Sequence, residues 1–398
     1  MNDFQITRRT LLGAASGGLY ALFSGHARAD SPQNGVLGRS QLRLGSRLVG
    51  RLADADGTVM VSPASLAAVL AMLAAGGGAP LGKAIHQVLG FDASAKQEQD
   101  MAALRSAVGQ IPGRFGGEGP LVLANMIVLD PAVKPAADAA ARLSVVGAEV
   151  SVEDLRHAET IQRINQWVAG RTRNVIPSIL DQALDQPGLV ALSALHFRDK
   201  WRVPFDPTHT RAEKFHLLSG RTVDAAMMYV PDGSYRFRQN REFIAAELAY
   251  ANDDFRLVVV TSKAEPVRAG EFASLGAWLG GEGFAESAGI VAMPRVRLSV
   301  HVDLLKSLDA MGLAPARLRR DAFSALTKAP MVLSHVVQKA ELRIDEEGTE
   351  AAAATAATAS RGALTGSYTK MIVDKPFVFA LRDRRTGLVL LCGYVATV

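Results

Sequence analysis

The stretch V-Q-K-A-E-L-R-I-D-E-E-G-T-E-A-A-A-A-T-A-A-T-A-S-R, residues 337–361, decides the fold of this chain. Its first part, residues 337–344, partly alternates apolar and polar side chains, which predicts a half-buried strand. Gly348 follows three acidic residues and can act as a swivel because it has no Cβ. The next ten residues, 349–358, are all Ala or Thr except Glu350.

The Ala/Thr run has the side chains of a strand that can enter a sheet. In an extended chain successive side chains point to opposite faces, so the charge of Glu350 is confined to one face and the other face is entirely small. A permanent strand favours Val, Ile and aromatic residues, which this run lacks. Composition alone also leaves a surface helix or a flexible linker open.

The motifs around this run resemble those of one family. K-A-x-L-x-I-D-E-x-G-T-E-A-A-A-A-T resembles the hinge of an inhibitory serpin, and D-K-P-F-V-F at 374–379 resembles the strand that follows its reactive loop. V-S-P-A-S-L at 61–66 resembles the start of the serpin central helix. Residues 191–201 resemble the serpin segment N-A-x-x-F-x-x-x-W, with Trp201 and Phe205 in matching places. The resemblance covers roughly residues 48–398 in order.

This resemblance implies an α+β serpin fold, with three β-sheets, eight to nine helices and an exposed reactive-centre loop at about 346–370. It also implies a single-use inhibitor, not an enzyme. A target serine protease attacks the loop, and the cleaved loop enters the main sheet as a new strand with the protease covalently attached. The expected partner is that protease, and the expected inhibitor is a monomer.

The family pattern assigns roles to residues at the hinge and where the sheet parts. The hinge comprises Glu346, Glu347, Gly348, Thr349, Glu350, Ala351, Ala352, Ala353, Ala354 and Thr355. The breach and shutter regions comprise Ser62, Ser65, Ser193, Trp201, Phe205 and Gln338. The family usually has Asn at Ser193 and His at Gln338, and those two normally share a hydrogen bond. Because Gln offers both donor and acceptor, we expect an altered latch in which Ser193 and Gln338 still pair.

The reactive bond is predicted between Arg361 and Gly362. Counting sixteen residues on from Glu346, as the family pattern does, leads to Gly362, which is a poor recognition residue. Loops one residue shorter occur in the family, and Arg361 implies a trypsin-like target with an acidic specificity pocket. Cleavage after Leu364 or within the Ala/Thr run, by an elastase- or subtilisin-like protease, remains the alternative. A non-inhibitory serpin-fold binding or chaperone protein is the alternative function.

Composition argues for a soluble globular protein without nucleic-acid or catalytic chemistry. The 398 residues are 48% hydrophobic and 21% charged, with a net charge of +5 and no run of Lys or Arg that would form a nucleic-acid patch. The eight histidines lack metal-site spacing, and no nucleophile elbow, phosphate loop or dinucleotide motif is present. We therefore expect no catalytic residues, no metal and no cofactor. The single cysteine, Cys392, is predicted to be an inert core thiol.

Residues 1–29 are predicted to be an export signal of the twin-arginine type. They contain T-R-R-T-L-L, an apolar stretch too short to span a membrane, and the cleavage-site pattern A-R-A. This predicts a bacterial protein in the periplasm or outside the cell, with no membrane attachment after cleavage. Residues 30–47 are expected to be a mobile segment, and 48–398 a single domain.

Three further patterns predict local structure. The apolar run Leu121–Leu129 is expected to be a strand buried on both faces. Residues 289–300 are expected to form one strand. The acidic residues Asp345, Glu346 and Glu347 are expected to form a solvated turn with local ion pairs.

Overall fold

The computed structural model describes residues 32–53, 57–92, 96–114, 119–143, 149–185, 188–349 and 368–398. Within these ranges the α-helices are α1 (Pro32–Leu52), α2 (Pro63–Gly76), α3 (Ala79–Val88), α4 (Gln97–Arg114), α5 (Ala139–Leu143), α6 (Ala158–Arg171), α7 (Gly276–Leu279), α8 (Leu305–Ala310) and α9 (Ala314–Arg317). Most helices precede most strands, and the predicted α+β class is confirmed.

A seven-stranded sheet contains the stretch with which the sequence analysis began. Its strands are β2 (Leu121–Leu129), β3 (Glu149–Val152), β4 (Leu189–Phe197), β5 (Asp199–Lys200), β12 (Val296–Asp303), β13 (Leu333–Ile344) and β14 (Gly348–Thr349). The order is β3-β2-β4-β13-β14-β5, and β12 pairs with the other edge of β13. The central β4 and β13 run parallel, with Ser193 opposite Gln338.

A ten-stranded sheet forms the other layer. Its strands are β1 (Val59–Val61), β6 (Arg211–His216), β7 (Thr222–Tyr229), β8 (Gly233–Gln239), β9 (Phe243–Ala249), β10 (Phe255–Ser262), β11 (Ala285–Pro294), β15 (Thr369–Ile372), β16 (Phe377–Asp383) and β17 (Leu388–Val395). β11 pairs with β8 through residues 285–289 and with β7 through residues 292–294. Because β11 pairs with strands on both sides of this junction, two of the three expected sheets form one continuous ten-stranded sheet.

Helix α2 lies in the core between the two sheets, as its sequence predicts. The Ser62 side chain accepts a hydrogen bond from the Ser65 backbone N–H at the helix start, and Pro63 occupies the first turn. Leu66 and Leu70 have no exposed surface, and the helix contacts both β17 and β4. A helix that is apolar on all sides must be buried on all sides, so α2 is a fixed support for both sheets.

The expectation of a mobile segment at 30–47 is wrong for the residues described. They belong to α1, in which Leu44 and Leu48 are fully buried against β17 and the neighbouring helices. The Gly and Ser residues suggested a linker, but the apolar side chains recur at helical spacing and find a core to pack against. Residues 1–31, with the predicted export signal, lie outside the described ranges.

The single strand predicted at 289–300 is two strands in different sheets. β11 ends at Pro294, β12 begins at Val296, and Arg295 carries the chain from one sheet to the other. A proline has no N–H to donate to a sheet ladder, which favours a change of sheet there. This crossing brings Arg295 beside the turn that follows β13.

Cys392 is buried in β17, and burial raises the pKa of its thiol. A buried thiol with a raised pKa carries little nucleophilic thiolate, in agreement with the predicted core role. No helix within the described residues is long and apolar enough to cross a membrane.

Candidate functional site

A tight turn at residues 345–348 reverses the chain after β13. The Asp345 backbone N–H donates to the Gly348 carbonyl, with 3.0 Å between nitrogen and oxygen. The Asp345 carboxylate accepts from the backbone N–H groups of Glu347 at 3.1 Å and Gly348 at 3.3 Å. The turn returns the chain so that β14 pairs with the end of β13, with Thr349 opposite Ile344.

Gly348 is required by the close approach of β5. A Cβ at this position would lie 2.2 Å from the Asp199 carbonyl oxygen and 2.6 Å from the Lys200 Cα. These are backbone atoms of a paired strand, so they cannot move aside as the end of a side chain can. The result is that β14 lies between β13 and β5 and pairs with both.

A stacked pair of aromatic residues contacts the turn at residues 345–348 and the strand that follows it. The rings of Trp201 and Tyr250 stack with centroids 4.4 Å apart. The Trp201 indole N–H donates to the Asp345 carbonyl at 2.9 Å, and the Tyr250 hydroxyl lies 2.9 Å from the Thr349 hydroxyl. Phe205 adds a hydrogen bond from its backbone N–H to the Glu346 carbonyl at 2.9 Å. The sequence assigned Trp201 and Phe205 to this region but did not identify Tyr250.

Glu346 is buried, which corrects the expectation of a solvated acidic turn. Its side chain is 7% exposed, and it forms an ion pair with Arg295 at 2.8 Å. The Thr210 hydroxyl donates to the same carboxylate at 2.5 Å. Burial by itself raises the pKa of Glu346, but the hydrogen bonds from Arg295 and Thr210 outweigh burial, so the pKa lies below its usual value.

Gln338 connects the centre of β13 to the start of α2. Its side-chain oxygen accepts from the Ser62 backbone N–H at 2.8 Å. Its amide nitrogen donates to the Ser62 carbonyl at 2.9 Å and to the Ser65 hydroxyl at 3.0 Å. Gln338 is fully buried, so these bonds occupy both ends of an amide that has no access to water.

Ser193 has a different partner from the one expected. Its hydroxyl donates to the side-chain oxygen of Asn125 at 2.7 Å, although Ser193 and Gln338 lie opposite each other in the sheet. A serine side chain is short, and Gln338 is already engaged with Ser62 and Ser65. The expected Ser193–Gln338 pairing is therefore replaced by two separate contacts, and Asn125 was not identified from the sequence.

Part of the candidate site lies outside the described residues. This holds for the hinge residues Glu350, Ala351, Ala352, Ala353, Ala354 and Thr355 and for the reactive-bond candidates Arg361, Gly362 and Leu364. In the part of the chain that the structure does describe, no group of three or more His, Cys, Asp or Glu side chains is placed to hold a metal ion.

Comparison with known proteins identifies relatives over nearly the whole chain. The model of the family described as serpin (serine protease inhibitor) matches residues 39–398. Antithrombin-III of Mus musculus is 25% identical over 380 residues, covering 90% of this chain and 81% of that protein. Serine protease inhibitor 42Dd of Drosophila melanogaster is 26% identical over 340 residues, covering 82% of this chain and 88% of that protein.

Solved structures share the fold. Serpin48 of the insect Tenebrio molitor superimposes with a TM-score of 0.76 at 24% identity, covering 93% of this chain and 99% of that one. Human thyroxine-binding globulin superimposes with a TM-score of 0.77 at 23% identity, covering 92% of this chain and 98% of that one.

Replacing Gln338 by Leu is expected to destabilise the protein by about 1–3 kcal/mol, because the buried Ser62 N–H loses its acceptor. Urea unfolding monitored by circular dichroism measures the change. Gln239→Leu, at an exposed position at the end of β8, is the matched control and should change stability by less than about 0.5 kcal/mol. Equal stability of Gln338→Leu and the natural protein would contradict a structural role for this contact.

Glu346 is expected to make stability depend on pH in the acidic range. Because its pKa is lower in the folded protein than its ordinary value of 4.5, its contribution is complete above that pH and disappears as the pH falls below it. Glu346→Gln should therefore be less stable than the natural protein at pH 7, and the difference should shrink as the pH falls below 4.5 and through the pKa of Glu346 in the folded protein. Urea titrations at a series of pH values measure this, with exposed Glu242→Gln as the control for general loss of charge. A stability difference that stays constant from pH 7 to pH 3 would contradict the assignment.

Proposed function

Because the chain belongs to the serpin (serine protease inhibitor) family, we propose that it is an inhibitory member that traps a serine protease covalently. The protease serine attacks the loop carbonyl at the reactive bond, forming an acyl-enzyme as the peptide bond breaks. The freed loop then enters the seven-stranded sheet between β13 and β4 and carries the attached protease with it.

The observation that carries this proposal is the position of β14. Gly348 and Thr349 form β14, which lies between β13 and β5 and pairs with both. Below them β13 and β4 pair directly, along residues 333–341 of β13. The described part of β14 therefore ends beside the seam where a new strand would separate β13 from β4.

The free energy available to such an insertion is large enough to drive it. A strand of about ten residues gains about ten or more ladder hydrogen bonds, each worth roughly 0.5–1.5 kcal/mol net. This total is comparable with the whole stability of a domain, about 5–15 kcal/mol. Insertion after cleavage is then effectively irreversible, as a single-use inhibitor requires.

The small residues after Thr349 favour the inhibitory reading over a non-inhibitory carrier or chaperone. Ala351 to Ala354 present no bulky or proline side chain that would block entry into a sheet. The fold itself does not choose between these functions, since thyroxine-binding globulin shares it.

Arg361 is the proposed recognition residue, with cleavage before Gly362. An arginine that follows a long run of small residues suits a trypsin-like protease, whose acidic pocket binds a guanidinium. A protease with an apolar or small pocket would instead cut after Leu364 or within the Ala/Thr run. We also propose that the inhibitor acts after export from the cell, on the basis of the predicted signal at residues 1–29.

Mixing the protein with trypsin is expected to give a band at the summed mass that survives boiling in denaturant. The band arises because the acyl bond outlasts unfolding, and mass spectrometry of the released C-terminal peptide identifies the cleaved bond. Arg361→Ala should abolish the complex with trypsin, while Arg221→Ala, on the exposed surface, should leave it unchanged.

Clean cleavage without a complex would contradict trapping of trypsin, and elastase- and subtilisin-like proteases would then be tested in the same assay. A melting temperature that does not rise after loop cleavage would contradict loop insertion altogether.

Thr349→Arg is expected to convert the inhibitor into a substrate. Thr349 is fully buried, and an arginine there would place an unpaired charge where the new strand begins. Trypsin should still cut the loop, but the covalent band should fall at least tenfold relative to the natural protein. Thr222→Arg, at an exposed position of β7, is the matched control and should keep the full yield. An undiminished band from Thr349→Arg would contradict insertion through this position.

A further inference from the structure

A cleft of about 700 Å³ lies where β12 begins and β13 ends. Three arginines line it, namely Arg295, Arg297 and Arg343, together with the turn residues Asp345 and Glu346. The terminal residues Thr397 and Val398 form another part of its wall. Apart from the hinge residue Glu346, the loop-insertion mechanism assigns no role to the residues that line this cleft.

Two of the arginines face each other across the strand pair. Arg297 and Arg343 are directly opposite in the antiparallel register of β12 and β13, and both are exposed. The Cβ atoms of residues so placed are about 4.5–5.5 Å apart, and like charges in this arrangement repel. An anion that binds both guanidinium groups would relieve this repulsion.

The nearby carboxylate of Asp345 pairs with only one member of this pair, Arg343, at 3.4 Å. Among the described residues the Arg297 guanidinium has no hydrogen-bond or ion-pair partner. Asp345 accepts the turn N–H groups on one carboxylate oxygen and faces Arg343 with the other. Arg295, two residues before Arg297 on the same face of the chain, directs its Nε and one terminal nitrogen at Glu346.

We propose that this cleft binds a small multivalent oxyanion, such as a phosphate, pyrophosphate or polycarboxylate, between Arg297 and Arg343. The planar guanidinium fork matches the oxygen pairs of both phosphate and carboxylate groups. The remaining terminal nitrogen of Arg295 is the third donor for a ligand longer than phosphate. A monovalent anion satisfies only one of the opposed arginines and binds more weakly.

Titration calorimetry of the intact protein with sodium phosphate, pyrophosphate and citrate tests the site, with chloride and acetate at matched ionic strength as monovalent references. We expect saturable binding of at least one multivalent anion. Arg297→Gln and Arg343→Gln should each weaken it at least tenfold, whereas Arg221→Gln, at a remote exposed position, should not. Comparison of phosphate with citrate distinguishes a phosphate site from a polycarboxylate site.

A second variant is expected to raise the affinity for the anion, and this outcome distinguishes an effect on the site from an effect of misfolding. Asp345→Asn keeps an oxygen for the turn N–H groups but removes the negative charge beside Arg343, so affinity should rise several-fold. Asp224→Asn, remote and exposed, is the control for a general change of charge. A rise in affinity cannot come from a damaged fold.

The proposal is overturned by either of two results. One is the lack of saturable binding for every multivalent anion at tens of millimolar. The other is equal affinity in the natural protein, Arg297→Gln and Arg343→Gln. The test is separate from the inhibitory function, because Arg297 lies on β12, which pairs with the edge of β13 away from β4. Arg297→Gln should therefore still form the covalent complex with trypsin.

Discussion

The close contact between the turn at residues 345–348 and β5 is the constraint on which the rest of this structure depends. Only a residue without Cβ fits where the Gly348 backbone meets the Asp199 carbonyl. That contact places the following residue, Thr349, between two strands and within hydrogen-bonding distance of the Tyr250 hydroxyl. If a Cβ at residue 348 displaced the turn from β5, β14 would no longer lie between β13 and β5. The geometry for strand entry would then be lost.

Two sets of contacts fix β13, one at its centre and one at its C-terminal end. At its centre, Gln338 joins the strand to the buried start of α2. At its end, Glu346 is fixed to Arg295, while the indole of Trp201 donates to the Asp345 carbonyl. These anchors are about 25–30 Å apart along an extended chain. Separation of β13 from β4 therefore has to accommodate two independent sets of contacts. Opening is favourable only when the new contacts that form compensate for both sets.

The strand β13 presents a different chemistry on each face. Its inward side chains, including Gln338 and Leu342, are buried, while Arg343 points outward toward Arg297 on β12. The guanidinium of Arg343 also approaches Asp345 in the turn. The outward arginines and the turn carboxylates are thus electrostatically linked, although the outward face takes no direct part in strand entry.

The sequence by itself determined those features that depend on local pattern. Alternation predicted the last part of β13, the motif V-S-P-A-S-L at 61–66 indicated the start of α2, and a continuous apolar run predicted β2. The motif around Gly348 indicated the family and the hinge. These signals are local because hydrogen bonding, capping and side-chain periodicity act over a few residues.

Only the tertiary structure decided which distant residues meet. It placed Tyr250 against Thr349, Asn125 against Ser193 and Arg295 against Glu346, pairs that lie 99, 68 and 51 residues apart in the chain. It also buried Glu346, which its acidic neighbours made appear solvated, and gave α1 a core that its Gly and Ser residues did not suggest. Burial and partner choice depend on which elements pack together, and neither the spacing nor the composition of one segment contains that information.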